Sequence, residues 1–102
     1  MLVNKGYAEG DVVSFKLVNG DEIVAKVVEK TDTGYVISKP CTVVPSAKGL
    51  MLIQSLYAAE LNNIEVNTMH VMMHASVIQE MADHYLQTTT GIQTVTKGGI
   101  IT

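Results

Sequence analysis

An Asn-Gly dipeptide between two runs of alternating apolar residues constrains this chain more than any other feature. The first run covers residues 12–18 and the second covers residues 22–30. Asn19-Gly20 is a strong hairpin signal, because a type I′ turn needs a positive φ at both of its central residues. The chain is therefore predicted to contain an antiparallel β-hairpin whose strands each bury one face.

The β pattern continues after this hairpin. Asp and Gly within 31–34 favour a second turn, and Pro40 marks an edge, a bulge or a bend because it lacks an N–H group. The predicted strands cover residues 12–18, 22–30, 35–44, 50–57 and 64–74. The last two are apolar on both faces, so they are either central in a small closed barrel or in contact with another subunit.

The hydrophobic period changes near residue 77. The apolar residues of the next segment form one stripe at helical spacing, at positions 77, 78, 81, 82, 85 and 86, which predicts a helix over about 77–87. Ser76 and Gln79 match a capping box at its start. The Gly-punctuated tail, 88–102, is predicted to be either a short final strand or a frayed end.

Composition and charge limit the classes of protein that fit. The 102 residues suffice for one small domain, 1–102, and are too few for two. Hydrophobic residues make up 47% and charged residues 17%, which argues against disorder and predicts apolar surface buried between subunits. The alternative is a small monomer with a face for a membrane or another partner.

The basic residues are all Lys, and the net charge is −3. Without the bidentate Arg side chain, a strongly basic nucleic-acid binder is excluded. The single Cys41 fits a reducing compartment. We also expect no signal peptide and no membrane span, since no apolar run approaches the necessary length; a cytoplasmic location follows as an expectation.

Motifs that carry catalysis or bind metals are missing. The sequence has no GxSxG, Walker A, GxGxxG, HExxH or paired CxxC pattern. His70 and His74 lie four residues apart on one predicted strand, about 13 Å at ~3.3 Å per residue, too far apart to share one zinc ion. We therefore expect no enzyme activity, no catalytic residues, no metal and no cofactor.

Residues 10–37, GDVVSFKLVNGDEIVAKVVEKTDTGYVI, resemble the first half of an Sm/LSm domain. They follow that family's order of strand, polar hairpin, strand with a small residue midway, Asp-containing turn and apolar strand. Gly20 matches the hairpin Gly, Ala25 stands where the family has a Gly, and Asp32 matches the loop Asp. The family's second motif, apolar-Arg-Gly-polar, does not occur. In character the chain is similar to Sm-like proteins of marine phages.

The resemblance implies a mainly β fold, a small, strongly bent five-stranded antiparallel open barrel, here with a C-terminal helix. It implies homo-oligomeric rings of roughly five to seven copies that bind single-stranded RNA or DNA, with RNA expected, and a role in RNA or DNA processing. For a phage protein the location would be the host cytoplasm. The residues that would contact nucleic acid are Asp32, Tyr35, Lys30, Lys39, Asn62 and Asn63. Those expected in the subunit interface are Leu52, Ile53, Met69, Val71, Met72 and Met73.

Competing interpretations remain open at this point. The absence of Arg and the acidic net charge favour an oligomeric structural or scaffold barrel that does not bind nucleic acid. Such a barrel could be a viral protein. Tyr35 taken alone fits a half-buried strand residue better than a base-stacking one. The methionines fit core and interface packing as well as an adaptable binding surface.

Overall fold

The computed structural model describes residues 6–94 as an antiparallel sheet with one helix. The strands are β1 (Val12–Leu17), β2 (Glu22–Lys30), β3 (Gly34–Ser46), β4 (Gly49–Gln54), β5 (Ile64–Asn67) and β6 (Val71–Ser76). A 3-10 turn, Thr68–His70, separates β5 from β6, and the helix α1 covers Gln79–Thr94. The expectation of a mainly β fold with a C-terminal helix is confirmed.

The sheet has six strands in the order β4-β3-β2-β1-β6, and β5 pairs with β3 beside this path. The hydrogen-bonded sheet is not closed. The single strand predicted over 64–74 is divided in the structure, because the side chain of Asn67 accepts a hydrogen bond from Met69 N at 2.8 Å and starts the 3-10 turn. Hydrogen bonding then resumes on another partner, since β5 pairs with β3 whereas β6 pairs with β1.

β3 is longer than predicted and bends beside Pro40, where an edge, a bulge or a bend was expected. Its first part pairs with β5 from Gly34 to Ile37, and its second part pairs with β4 from Cys41 to Ser46. Lys39, between the two parts, has a φ of 49°. The strand predicted over 50–57 ends at Gln54, and residues 55–63 form an irregular connection.

The sheet packs apolar side chains on both faces. The inner cluster lies on β1, β2 and β3 and consists of Val13, Phe15, Ile23, Ala25, Val27, Tyr35 and Ile37. The outer cluster joins the opposite face of the sheet to α1 through Val24, Cys41, Leu52 and Tyr85. The helix therefore covers the second apolar face of β2. No contact with another subunit is needed to explain why that face is apolar.

The helix begins and ends later than the apolar stripe indicated. Ser76 is the last residue of β6, paired with Val13, and the first helical N–H groups bond to Ile78 O; the predicted capping box is wrong. α1 continues to Thr94, so part of the predicted tail is helical, whereas residues 95–102 lie outside the described residues. Within residues 6–94 no helix is both long and apolar enough to cross a membrane.

Candidate functional site

Within residues 6–94 three strands pair with one neighbour only: β5, which pairs with β3, and the strands β4 and β6 at the two ends of the sheet. β4 pairs only with β3, and β6 pairs only with β1. Both strands carry exposed apolar side chains: Leu50, Met51 and Ile53 on β4, and Met72 and Met73 on β6. An unpaired edge presents a row of backbone N–H and C=O groups to which another strand can add. Apolar side chains beside such an edge favour burial against that strand.

The predicted interface residues divide between these edges and the interior. Ile53, Met72 and Met73 lie exposed on the two edge strands, and Met69 is exposed in the 3-10 turn. Val71 is partly buried against the inner cluster. Leu52 is 9% exposed and belongs to the outer cluster under α1. Four of the six residues are therefore available to a neighbouring chain.

The turn after β2 lies against the 3-10 turn. Thr68 donates two hydrogen bonds to the carbonyl oxygen of Thr33, from its backbone N at 2.8 Å and from its Oγ1 at 3.1 Å. Gly34 N donates to Thr31 Oγ1 at 3.0 Å, and Thr31 N donates to Gly34 O at 2.9 Å. These bonds hold two exposed segments side by side, which we call the paired turns: residues 31–33 and residues 68–70.

Lys30 and Tyr35 flank the paired turns, but Tyr35 is a core residue. Its ring is 6% exposed. The ring centroid lies 5.4 Å from that of Phe15, 5.5 Å from that of His74 and 6.1 Å from that of Tyr7. Lys30 Nζ lies 5.3 Å from the same centroid and donates to Thr31 O at 2.7 Å. A base can stack on Tyr35 only after one of these groups moves.

The N-terminal end of the described chain closes this aromatic cluster. Tyr7 Oη and His74 Nδ1 share a hydrogen bond of 2.6 Å. Burial raises the pKa of the Tyr7 hydroxyl, and the nearby Tyr35 and Asp11 raise it further. Tyr7 therefore stays neutral at physiological pH and acts as a packing and hydrogen-bonding group.

Lys39, Asn62 and Asn63 lie away from the paired turns. Lys39 N donates to Leu61 O at 2.6 Å, which places the bend of β3 beside the 55–63 connection. The four residues of β5 separate Asn63 from the 3-10 turn, so Asn63 and Thr68 lie about 16 Å apart at ~3.3 Å per residue. The six predicted nucleic-acid residues therefore form two groups, Lys30, Asp32 and Tyr35 at one end of β5 and the other three at its opposite end.

Two exposed residues near the paired turns were missed. Thr68 and His70 belong to the 3-10 turn, which the sequence analysis placed inside a strand. The signal was Asn67-Thr68, since short polar side chains favour local turns over strand pairing. The lysines of residues 6–94 show no concentration on one surface. They lie on β1, on β2, at the bend of β3 and in the β3–β4 turn, at positions 16, 26, 30, 39 and 48.

Within residues 6–94 there is neither a metal-binding cluster nor a low-pKa thiol. No three His, Cys, Asp or Glu side chains cluster in residues 6–94 in a way that could hold a metal ion. Burial raises the pKa of the Cys41 thiol to about 11, so it is not a thiolate at neutral pH. In comparisons with known proteins, no family model matches the chain and no curated protein matches its sequence.

Proposed function

We propose that this chain is an Sm-like barrel that assembles into a closed ring of five to seven copies, and that the ring binds single-stranded nucleic acid, with RNA as the expected ligand. The observation that carries the proposal is that, among residues 6–94, β4 and β6 at the two ends of one sheet each have an unpaired edge beside exposed apolar side chains. Head-to-tail contacts between two different surfaces generate a ring when the rotation between copies closes.

The connectivity of β5 and β6 supports a barrel. β5 pairs with β3, and β6 pairs with β1, so the segment 64–76 bridges the two outer members of the β1–β2–β3 sheet. The three-residue 3-10 turn joins its two parts. The six strands of the structure correspond to the five of the Sm-like resemblance only if β5 and β6 are taken as one bent strand.

Assembly is tested by the mass of the protein in solution. The chain has a mass of 11.0 kDa, and multi-angle light scattering should give five to seven times that value. Ile53→Lys on β4 and Met72→Lys on β6 should each reduce the mass to that of a monomer, because burying an unpaired charge between subunits is costly. Ile53 is 40% exposed and Met72 59% exposed, so the single chain should still fold.

Val18→Lys is the matched control, since Val18 is an exposed apolar residue in the β1–β2 turn and on neither edge strand. It should leave the mass unchanged. A parent chain of 11.0 kDa at micromolar concentration would refute assembly. A mass that grows without limit with concentration would instead indicate an open filament rather than a ring.

The paired turns support nucleic-acid binding. They present the exposed side chains of Asp32, Thr33 and His70, with Lys30 adjacent, and an imidazole can stack on an unpaired base. A ring repeats this surface once per copy, so weak single contacts become a multivalent site through effective concentration. Few lysines per subunit predict a shallow salt dependence.

Binding is tested by fluorescence anisotropy with short U-rich and A-rich RNA and with DNA of matching sequence, across a salt series. His70→Ala and Lys30→Ala should each weaken binding about tenfold, as loss of one stacking or phosphate contact does. Lys26→Ala, on β2 and outside the paired turns, removes the same charge and should have a smaller effect. Equal effects of Lys30→Ala and Lys26→Ala would refute this location.

A second function, an oligomeric scaffold without nucleic acid, is favoured by a specific observation. The described lysines are dispersed, the net charge is −3, and the ring of Tyr35 is packed in the inner cluster. An acidic ring repels phosphates unless basic groups collect on one surface. Oligomeric mass combined with no binding to any single strand at low salt would establish the scaffold function over the first.

A further inference from the structure

A groove lies between the N-terminal part of α1 and the start of β4. It has a volume of about 540 Å³ and an apolar floor of Leu50, Ile78 and Met81. Glu80 and Asp83 line the helix side, and Lys48 lies at the β3–β4 turn. Ile78, the residue immediately before α1, is 69% exposed. Such an apolar floor with a polar rim is typical of a contact surface.

The groove continues into the free edge of β4. Leu50 belongs to both, because it lines the groove and lies on β4, whose second edge is unpaired within residues 6–94. A strand that added to this edge would project alternate side chains towards α1, since successive strand residues point to opposite faces. The strand that covers the edge is thus also the strand that fills the groove.

The β6 edge of a second copy has the features that this groove requires. Met72 and Met73 are exposed there, and flexible methionine side chains fill irregular apolar spaces. β6 has no acidic residue, and Lys16 on β1 lies opposite Met73 in the pairing. Lys16 also lies opposite Glu22 of its own β2, and it would bring a positive charge to the carboxylates of Glu80 and Asp83 across such a contact.

We propose that the groove between α1 and β4 of one copy receives the β6 edge of the next, with Met72 or Met73 packed against Leu50 and Ile78. This rests on the proposed ring and makes α1 part of its interface. The helix then has two functions: Tyr85 holds it on its own sheet, and its first turn contacts the neighbour.

The test compares Ile78, the residue immediately before α1, with Leu86, an exposed apolar residue of α1. Ile78→Lys places a charge in the groove, whereas Leu86→Lys places one on the flank of the helix outside it. Both side chains are exposed in the single chain, so neither change should unfold it. By light scattering over a dilution series, Ile78→Lys should raise the dissociation midpoint at least about tenfold, and Leu86→Lys should leave it unchanged.

A second measurement locates the contact. Leu50→Cys combined with Met72→Cys or with Met73→Cys should give a ladder of covalent multimers with a short thiol crosslinker. Leu50→Cys combined with Glu29→Cys, on the central strand β2, should give no covalent multimers. The native Cys41 is buried and should not react with the crosslinker. A ladder from only one of the methionine pairs also reports which face of β6 meets α1.

Each outcome bears on one of the two proposals. An oligomer that forms no ladder, and that tolerates Ile78→Lys as well as Leu86→Lys, retains the ring and overturns the groove contact. Crosslinks that form only within one chain also overturn the groove contact. So does a groove that becomes exposed only when residues 95–102 are deleted, because the chain itself would then cover it. A monomeric parent chain overturns both proposals.

Discussion

The hydroxyl of Tyr85 on α1 lies 2.9 Å from the carbonyl oxygen of Lys39 on β3 and donates a hydrogen bond to it. Ser38 O lies 3.0 Å from the same hydroxyl, so the single hydrogen is shared between the two carbonyl oxygens. Lys39 is the only non-glycine residue with a positive φ in residues 6–94, a conformation that costs free energy. The helix is therefore attached at the bend where β3 changes from pairing with β5 to pairing with β4.

Removal of the Tyr85 hydroxyl should weaken this attachment without creating a cavity. Tyr85→Phe should lower the free energy of unfolding by about 1 kcal/mol, the net value of a typical hydrogen bond. Tyr85→Ala should lower it by about 3–5 kcal/mol, because the ring is fully buried. Urea denaturation measures both. Leu86→Ala, at a residue 45% exposed on the same helix, should change stability little; a loss equal to that of Tyr85→Ala would contradict this packing.

The backbone conformation of Lys39 predicts opposite effects for two substitutions. Lys39→Gly should be at least as stable as the parent chain, because glycine adopts positive φ without steric cost. Lys39→Val should be less stable by about 1–2 kcal/mol, since a β-branched residue is disfavoured there. Thermal unfolding under identical conditions compares them. Equal stability of the two variants would mean that residue 39 does not hold this conformation in solution.

Gly34 permits the close approach of β3 and β5. A Cβ at this position would overlap the backbone carbonyl of Val66, so Gly34→Ala should displace β5 and cost about 3 kcal/mol or more. Thr33→Ala, at the adjacent exposed residue, keeps the backbone acceptor for Thr68 and serves as the control. Hydrogen exchange should show lost protection in 64–67 for Gly34→Ala only; full protection there would refute the β3–β5 pairing.

The buried thiol of Cys41 should make the protein less stable at alkaline pH. Its pKa in the folded chain is about 11, above the usual value of about 8.5 expected on unfolding. The folded state then binds more protons than the unfolded state, so the free energy of unfolding falls as pH rises above about 8.5. Below that pH both states are protonated and the contribution is constant.

Urea titrations between about pH 7 and pH 10 test this, with Cys41→Ala as the comparison. The slope of stability against pH above about 8.5 should be steeper for the parent chain than for the variant. Burial also raises the pKa of the Tyr85 hydroxyl, with a further contribution from Cys41, but that group titrates above this range. Identical slopes would show that Cys41 ionises freely in the folded protein.

The sequence pattern predicted those strands and helices that depend on residues close together in the chain. β2 spans the predicted 22–30 because the Asn19-Gly20 turn sets the register of the hairpin. Met81 and Tyr85 face the sheet because apolar residues at helical spacing occupy one side of a helix. The bend near Pro40 likewise follows from its missing N–H group.

The candidate site was harder to predict, because exposure depends on which elements cover a residue. Tyr35 has the aromatic ring that base stacking requires. Its ring is covered by Tyr7, Phe15 and His74, which come from distant parts of the chain. His70 was predicted to lie in a strand. It lies in an exposed turn, because Met69 N donates a hydrogen bond to the side chain of Asn67 and the strand ends there. Neither outcome is visible in a pattern of period two.

The sequence by itself determined the hairpin, the mainly β class and the helical stripe, because each is set by steric and periodic preferences over short segments. Only the tertiary structure decided that α1 covers the outer face of the sheet, that 64–74 divides between β3 and β1, and that the edges of β4 and β6 are left unpaired within residues 6–94. These depend on contacts between residues far apart in the chain. A strand with two apolar faces has the same local pattern whether a helix or another chain covers its second face.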